Sequence, residues 1–312
     1  MNSPLINRRQ FLQTSVLATG GAAAASFAET EDDDLFRISV APWSLMRSVA
    51  GKPDADGIDL WDYPKVVREL GFDALEHDNL HFPGELPVEK DIARMRRTCD
   101  DEGLRSTLIL CGALGDIADA DAKKRNAAVA KYRAWADAAK SLGCSAIRVV
   151  CADRKNDITF DEKRRYAVDG IRSLSEYNAT LGLDLLIENH GGYSSDPRWL
   201  TRVIEEVDQS NCGILADFTH WSVERDPKVN VVDPYDGMKQ LAPFTRSVSA
   251  HAYDFNAEGA ETNWDYFRIM NILTEAGFTG HVAVEYFGKE RSRKDGTRMT
   301  RELLQRVRKQ LA

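Results

Sequence analysis

At 312 residues, with 43% hydrophobic and 29% charged positions, the chain has the make-up of an ordinary globular protein and excludes a disordered or fibrous one. Its 41 basic residues are outnumbered by 49 acidic ones, a formal charge of −8, which repels phosphate backbones and argues against nucleic acid as a partner. The length exceeds one typical domain but fits a single α/β barrel of roughly 250 residues behind a short leader.

Residues 1–28 read as a targeting segment. Arg8-Arg9-Gln10-Phe11-Leu12 precedes a small and apolar run over 14–25, and Ser26-Phe27-Ala28 offers small residues at the two positions a signal peptidase reads. The segment resembles a twin-arginine export signal, and an acidic linker follows over 29–35. Removing Arg8 and Arg9 with it takes the formal charge from −8 to −10. An Ala-rich N-terminal helix packed on the body is the other reading. The run is too short and too rich in Gly, Ala, Ser and Thr for a membrane anchor, and no other stretch approaches spanning length, so membrane insertion is not expected. The resemblance implies export to the periplasm or another extracytoplasmic space. Cys99, Cys111, Cys144, Cys151 and Cys212 form no CxxC pair and read as buried free thiols, with one disulfide left open.

A first strand is expected over 36–40. One unit then repeats: a helix ends at a Gly, one apolar or small residue follows, and a strand begins within a few residues. A helix over 62–70 ends at Gly71 before Ala74-Leu75-Glu76, and one over 88–102 ends at Gly103 before a strand over 107–110. Helix 121–142 ends at Gly143 before strand 146–150, and helix 160–181 ends at Gly182 before strand 184–188. A helix over 197–207 leads to a sixth strand over 212–216. A short or irregular segment near 235–243 leads to a seventh over 247–250. Helix 264–276 ends at Gly277 before an eighth strand over 282–285, and helix 297–311 closes the chain. Glycine just past a helix takes the left-handed conformation that stops it, so each of these marks a helix-to-strand junction. Short apolar strands alternating with helices imply a parallel sheet with helices on its outer face, and eight units close into a (β/α)8 TIM barrel, one domain over 36–312. A doubly wound open sheet is the competing fold; no GxGxxG follows the first strand, and the repeat is too even for a switch point.

The active site of such a barrel lies at the C-terminal ends of its strands. Glu188, Asp217, His251 and Glu285 each follow an apolar run directly, on four successive strands, so their side chains can converge. Three carboxylates meeting without a cation would repel one another. A divalent ion removes the conflict, and one nitrogen with three oxygens suits Mn²⁺, Mg²⁺ or Co²⁺, with Zn²⁺ also admissible. A pocket with one carboxylate kept protonated is the alternative.

The order Glu, Asp-x-x-His, His, Glu over those strand ends resembles the xylose isomerase-like barrel superfamily of sugar isomerases and epimerases, across about residues 36–310. The likeness is to its ketose 3-epimerase, rhamnose isomerase and inosose dehydratase branches. Asp217-Phe218-Thr219-His220-Trp221-Ser222-Val223-Glu224 is similar to the epimerase segment around the second metal ligand. The resemblance implies that Glu188, Asp217, His251 and Glu285 hold one divalent ion, that Glu188 and Glu285 are the acid/base pair on opposite faces of the substrate carbon, and that His220 hydrogen-bonds a substrate hydroxyl. A metal chelating a carbonyl and an adjacent hydroxyl stabilises the enediolate left when a carboxylate removes the α-proton. Three departures leave the substrate and the outcome open. Asn189-His190-Gly191-Gly192 stands where ketose epimerases carry an Asn-Arg-x-Glu type segment. Tyr253-Asp254-Phe255 stands where some epimerases place an Arg, and Tyr253 where the dehydratases often carry a Lys.

Other positions carry two readings each. His190, on a Gly-rich turn, contacts substrate or satisfies backbone carbonyls. Glu76 and His77 line the pocket or form a local pair at the rim. Trp43 stacks on a sugar or simply packs, and Arg148 points into the mouth or pairs with a carboxylate. Trp221 and Trp264 read as packing, and His281 has no catalytic role. The first functional reading is an isomerase or epimerase of a sugar or polyol, with a small carbohydrate as partner and a homo-oligomer left open. The alternative is a lyase or dehydratase that expels water or an aglycone from a keto-sugar at the same site. A multi-zinc nuclease is disfavoured by the acidic balance and the export signal, and a non-catalytic sugar-binding protein by the intact carboxylates on strands five and eight.

Overall fold

The computed structural model of the chain describes residues 35–50, 58–151, 158–223 and 231–312. The twin-arginine segment, and the acidic linker as far as Asp34, lie outside the described residues. Eight parallel strands close into a barrel in sequence order: β1 (Arg37–Val40), β2 (Ala74–Asp78), β3 (Arg105–Leu110), β4 (Ala146–Val150), β5 (Asp184–Glu188), β6 (Cys212–Asp217), β7 (Thr245–Ala252) and β8 (His281–Tyr286), with β8 paired to β1. Eight helices alternate with them: α1 (Tyr63–Glu69), α2 (Glu89–Asp101), α3 (Ala122–Leu142), α4 (Phe160–Leu181), α5 (Pro197–Val207), α6 (Pro234–Leu241), α7 (Tyr266–Glu275) and α8 (Arg293–Leu311). This is the expected (β/α)8 barrel. Among the described residues no helix is long and apolar enough to cross a membrane.

The punctuation read from sequence has its physical counterpart. Gly71, Gly103, Gly143, Gly182 and Gly277 all take φ between +64° and +90°, where a side chain would be strained. At the other ends, Asp121 accepts from the N–H groups of Lys123 and Lys124, and Thr159 and Glu162 cap each other's backbone at the start of α4. The segment expected to be short or irregular is the eight-residue helix α6, begun by Pro234 behind an Asp233 cap and followed by a 3-10 turn over Ala242–Phe244. β7 runs two residues further at each end than the expected 247–250, taking in Thr245 and Arg246 at its start and His251 and Ala252 at its end, where the polar Thr245, Arg246 and His251 give no apolar signal; Ser247, Ser249 and His251 alternate into the barrel.

Two apolar clusters hold the barrel. The larger fills the space between strands and helices, where Tyr132, Trp135 and Leu142 of α3 are at most 1% exposed. Each such side chain stabilises by about 1.5–3 kcal/mol. The smaller cluster, Ala41, Leu108, Leu110, Ala146, Leu186, Leu215 and Ala283, plugs the inside of the barrel. Strand side chains alternate with period two, so the residues two positions beyond Ala146, Leu186, Leu215 and Ala283 also face inward. They are Arg148, Glu188, Asp217 and Glu285. The small apolar plug is thus the floor on which the polar groups of the mouth stand. All five cysteines are buried and unpaired.

Candidate functional site

Asp217, at the end of β6, is fully buried. Its Oδ1 accepts from both the N–H (2.6 Å) and the hydroxyl (2.7 Å) of Thr219, which turns Oδ2 toward His251 of β7. Nδ1 of His251 lies 2.9 Å from Asp217 Oδ2 and 3.6 Å from Glu285 Oε2, and His251 and Glu285 are in register on neighbouring strands. The Ser249 hydroxyl donates to the same Glu285 oxygen. Burial works against charge here, but Asp217 and Glu285 hold the His251 imidazole up at about 9. The adjoining His251 likewise keeps the Asp217 carboxyl well below the usual range in spite of its burial.

Glu188, at the end of β5, faces a different neighbour. Its Oε2 lies 2.7 Å from Nε of Arg148 on β4, with both side chains less than a tenth exposed. Burial pushes the Glu188 carboxyl up to about 8; Arg148 opposes this, and the negative charge of Asp217 adds to it. Of the two readings of Arg148, the structure has both: it points into the mouth and pairs with a carboxylate.

Beyond Glu188 the chain turns sharply. Asn189 stitches β5 to β6, donating from Nδ2 to the Asp217 carbonyl (3.0 Å) and accepting the Asp217 N–H at Oδ1 (2.7 Å). His190 then stands against His220, ring centroids 4.3 Å apart. His220 in turn meets His251 edge-on at 5.7 Å. Two groups of potential ligand atoms result, each within 4.8 Å of one another: Glu188, His190 and His220, and Asp217, His220 and His251. Of the four residues expected around one cation, Glu188 falls in the first group and Asp217 and His251 in the second, while Glu285 belongs to neither and approaches His251 at 3.6 Å. His220, expected to touch substrate, belongs to both groups.

The donor chemistry suits a divalent ion. Asp217 Oδ2 and His251 Nδ1 are buried and 2.9 Å apart, close enough for a carboxylate oxygen and a neutral imidazole nitrogen to share one cation in place of the proton. Magnesium, manganese and cobalt accept the oxygen-rich set formed with Glu285.

On the other side of the mouth, Trp43 packs on the inner apolar cluster and against the His81 ring, and its indole N–H donates to Asp78 Oδ2 at 2.7 Å. Glu76 and His77 do not form a local pair. They occupy opposite faces of β2, as consecutive strand residues must. Glu76 is 1% exposed, its Oε1 has no hydrogen-bond partner, and burial together with Glu285 pushes its carboxyl well up. His77 instead sits 2.8 Å from the Ser106 hydroxyl. Asp78, Asn189 and Ser249 were not singled out from sequence. Period two from Glu76 and from His251 would have found the first and third; nothing local marks the amide of Asn189 as a cross-strand tie.

The model of the xylose isomerase-like TIM barrel family matches residues 64–310. No curated protein matches the sequence. Among solved structures, the chain is similar to a D-psicose 3-epimerase studied in the presence of D-fructose (TM-score 0.71, 16% identity, covering 87% of this chain and 99% of that one). It is also similar to the 3-keto-D-glucoside 4-epimerase of E. coli (0.67, 17%, 87% and 99%). A xylose isomerase-like TIM barrel protein of Mycobacterium smegmatis in complex with magnesium is alike to the same degree (0.67, 20%, 89% and 98%). At these identities the likeness speaks to the fold. With the family model matching most of the barrel, this chain belongs to the xylose isomerase-like TIM barrel family.

Proposed function

We propose that the protein is a divalent-metal-dependent isomerase or epimerase of a sugar or polyol, exported by the twin-arginine route, that moves a proton at a carbon beside a carbonyl. The observation that carries the reading is His251 Nδ1 set between Asp217 and Glu285 at 2.9 and 3.6 Å, with Glu188 on the neighbouring strand end. The names of the fold relatives, a ketose 3-epimerase and a keto-glucoside 4-epimerase, support the same chemistry.

In this reading Asp217, His251 and Glu285, with Glu188, would hold the ion. When bound, it supplies Lewis acidity that polarises the substrate carbonyl and acidifies the adjacent C–H. Glu188 and Glu285 then share the proton traffic, one accepting the α-proton and the other returning one from the opposite face. Arg148 fixes the Glu188 carboxylate, and Ser249 the Glu285 carboxylate, so neither base has to search for its geometry. Trp43 and Glu76 contact the sugar from the other half of the mouth, the indole by its apolar face and the carboxyl through its unpartnered Oε1.

Incubation of metal-loaded protein with ketoses and keto-glycosides, read by mass spectrometry in D₂O, tests this. An isomer of unchanged formula carrying one solvent deuteron at the inverted or transposed centre is expected. Loss of water or of an aglycone would replace the reading with elimination.

A further inference from the structure

Taking the mouth as the substrate site of the proposed isomerase or epimerase, we infer that it is built for a ring-closed sugar, a glycoside carrying its carbonyl on a ring carbon, and selects against open-chain ketoses. Three aromatic side chains on successive strand ends, Tyr253, Phe287 and Trp43, carry this selectivity.

Tyr253 and Phe287 each lie two positions beyond an inward-facing residue, His251 and Glu285, which are in register on β7 and β8. Strand side chains alternate, and the Phe287 N–H donating to the Ala252 carbonyl (2.8 Å) carries the pairing past the strand ends. Both rings therefore turn into the mouth. There they meet the His251 imidazole nearly parallel, Phe287 at 5.2 Å and 18°, Tyr253 at 6.2 Å and 23°. Trp43 follows β1, on the other side of β8, and packs on the inner apolar cluster. All three are partly exposed, and all three are held in place. Asp78 Oδ2 accepts the Trp43 indole N–H (2.7 Å), and the Arg47 guanidinium lies over the Phe287 ring (5.1 Å). The buried Glu261 accepts the backbone N–H groups of Tyr253 (3.1 Å) and Trp264 (2.7 Å).

Across the mouth stand Arg148, Glu188, His190 and His220, so one side is aromatic and the other offers hydrogen bonds. A pyranose ring has the same division, with hydroxyls around its edge and C–H groups on its faces. The electron-rich face of an aromatic ring attracts those C–H groups, and a rigid ring loses little conformational freedom on binding. An open-chain ketose has no fixed apolar face and several free torsions to lose. A sugar held as a ring keeps its carbonyl on a ring carbon. The proton transfer that fits is therefore epimerisation at the carbon beside it, since aldose–ketose transposition needs the open chain.

Calorimetric titration of the full-length protein in Mn²⁺ tests this with ligands that lack a carbonyl and so are not turned over: the methyl pyranosides of glucose, galactose and mannose, and the matching open-chain alditols. At least one pyranoside is expected to bind about tenfold or more tightly than its alditol. Trp43→Leu and Tyr253→Leu should each lose about tenfold of that affinity and leave alditol binding as it was, while Tyr253→Phe, which keeps the ring and loses the phenol, retains it. Thermal unfolding identifies any variant that fails to fold, and the wild-type comparison stands without them. Alditols binding as tightly as the pyranosides, no binding of any pyranoside, or equal losses in Tyr253→Leu and Tyr253→Phe would overturn the inference. Ring-selective binding with no solvent deuteron entering any sugar would sink the isomerase reading and leave the ring preference standing; deuteron entry into open-chain ketoses without a ring preference does the reverse.

Discussion

Arg148 Nε and Glu188 Oε2 meet at 2.7 Å inside the barrel, across the β4–β5 boundary, with less than a tenth of either side chain exposed. Asp78 and Glu285 also act on the same guanidinium, so a single buried cation offsets several carboxylates on the wall of the mouth. Breaking a buried ion pair from one side strands its partner.

Above pH 8, where the Glu188 carboxyl is ionised, Arg148→Met should therefore destabilise the metal-free protein by about 3–5 kcal/mol, measured by urea unfolding. Adding Glu188→Gln should recover part of that loss, since no buried charge is then left without a counter-ion. Equal stability of the single and double variants would show that Glu188 does not need the guanidinium.

Metal removal gives a second expectation. Chelator should abolish turnover, and Mn²⁺ or Co²⁺ should restore it. An ion at one hundred times its Kd adds about 2.7 kcal/mol to folding stability, so the Tm of the wild type should rise on adding Mn²⁺. In Asp217→Asn, whose Oδ2 would otherwise face His251 at 2.9 Å, that rise and the turnover should both disappear.

The third expectation concerns pH. Burial lowers His77 from 6.5 to about 3, so the folded form stays neutral where the unfolded chain already binds a proton. Its contribution to stability is complete above pH 6.5 and is lost progressively as pH falls toward 3. The slope is about 1.4 kcal/mol per unit. Urea unfolding at pH 6, 5 and 4 should show His77→Gln losing less stability per unit than the wild type by about that amount. Parallel slopes would refute the assignment.

A fourth rests on close packing behind Glu285. A Cβ added at Gly296 in α8 would overlap the ring of Tyr286, the last residue of β8. Displacing that ring is expected to cost about 1–3 kcal/mol and to shift Glu285. Gly296→Ala should thus lower both urea stability and Mn²⁺ affinity. An alanine in a helix is otherwise favourable, so a gain in stability would mean the ring moves aside freely.

Much of the fold was legible because its signals are local. A left-handed glycine, a capping side chain and an apolar strand each depend on a few neighbouring residues, which is why Gly143 and Gly182 announce β4 and β5. β7 was underestimated at both ends, since Thr245, Arg246 and His251 lack the hydropathy that marks a buried strand. The twin-arginine reading rests on the sequence, because residues 1–34 lie outside those described.

By itself the sequence determined the eight-fold alternation, the order of the strands and hence which residues stand at their C-terminal ends. Only the tertiary structure decided how those ends face one another: Glu188 toward Arg148, His190 beside His220, and His251 between two acids. The reason is that strand-end spacing follows from barrel closure, with register shifts between β2 and β3 and between β6 and β7, and from cross-strand ties such as Asn189 to Asp217. These relations join residues dozens of positions apart and leave no periodicity in the chain.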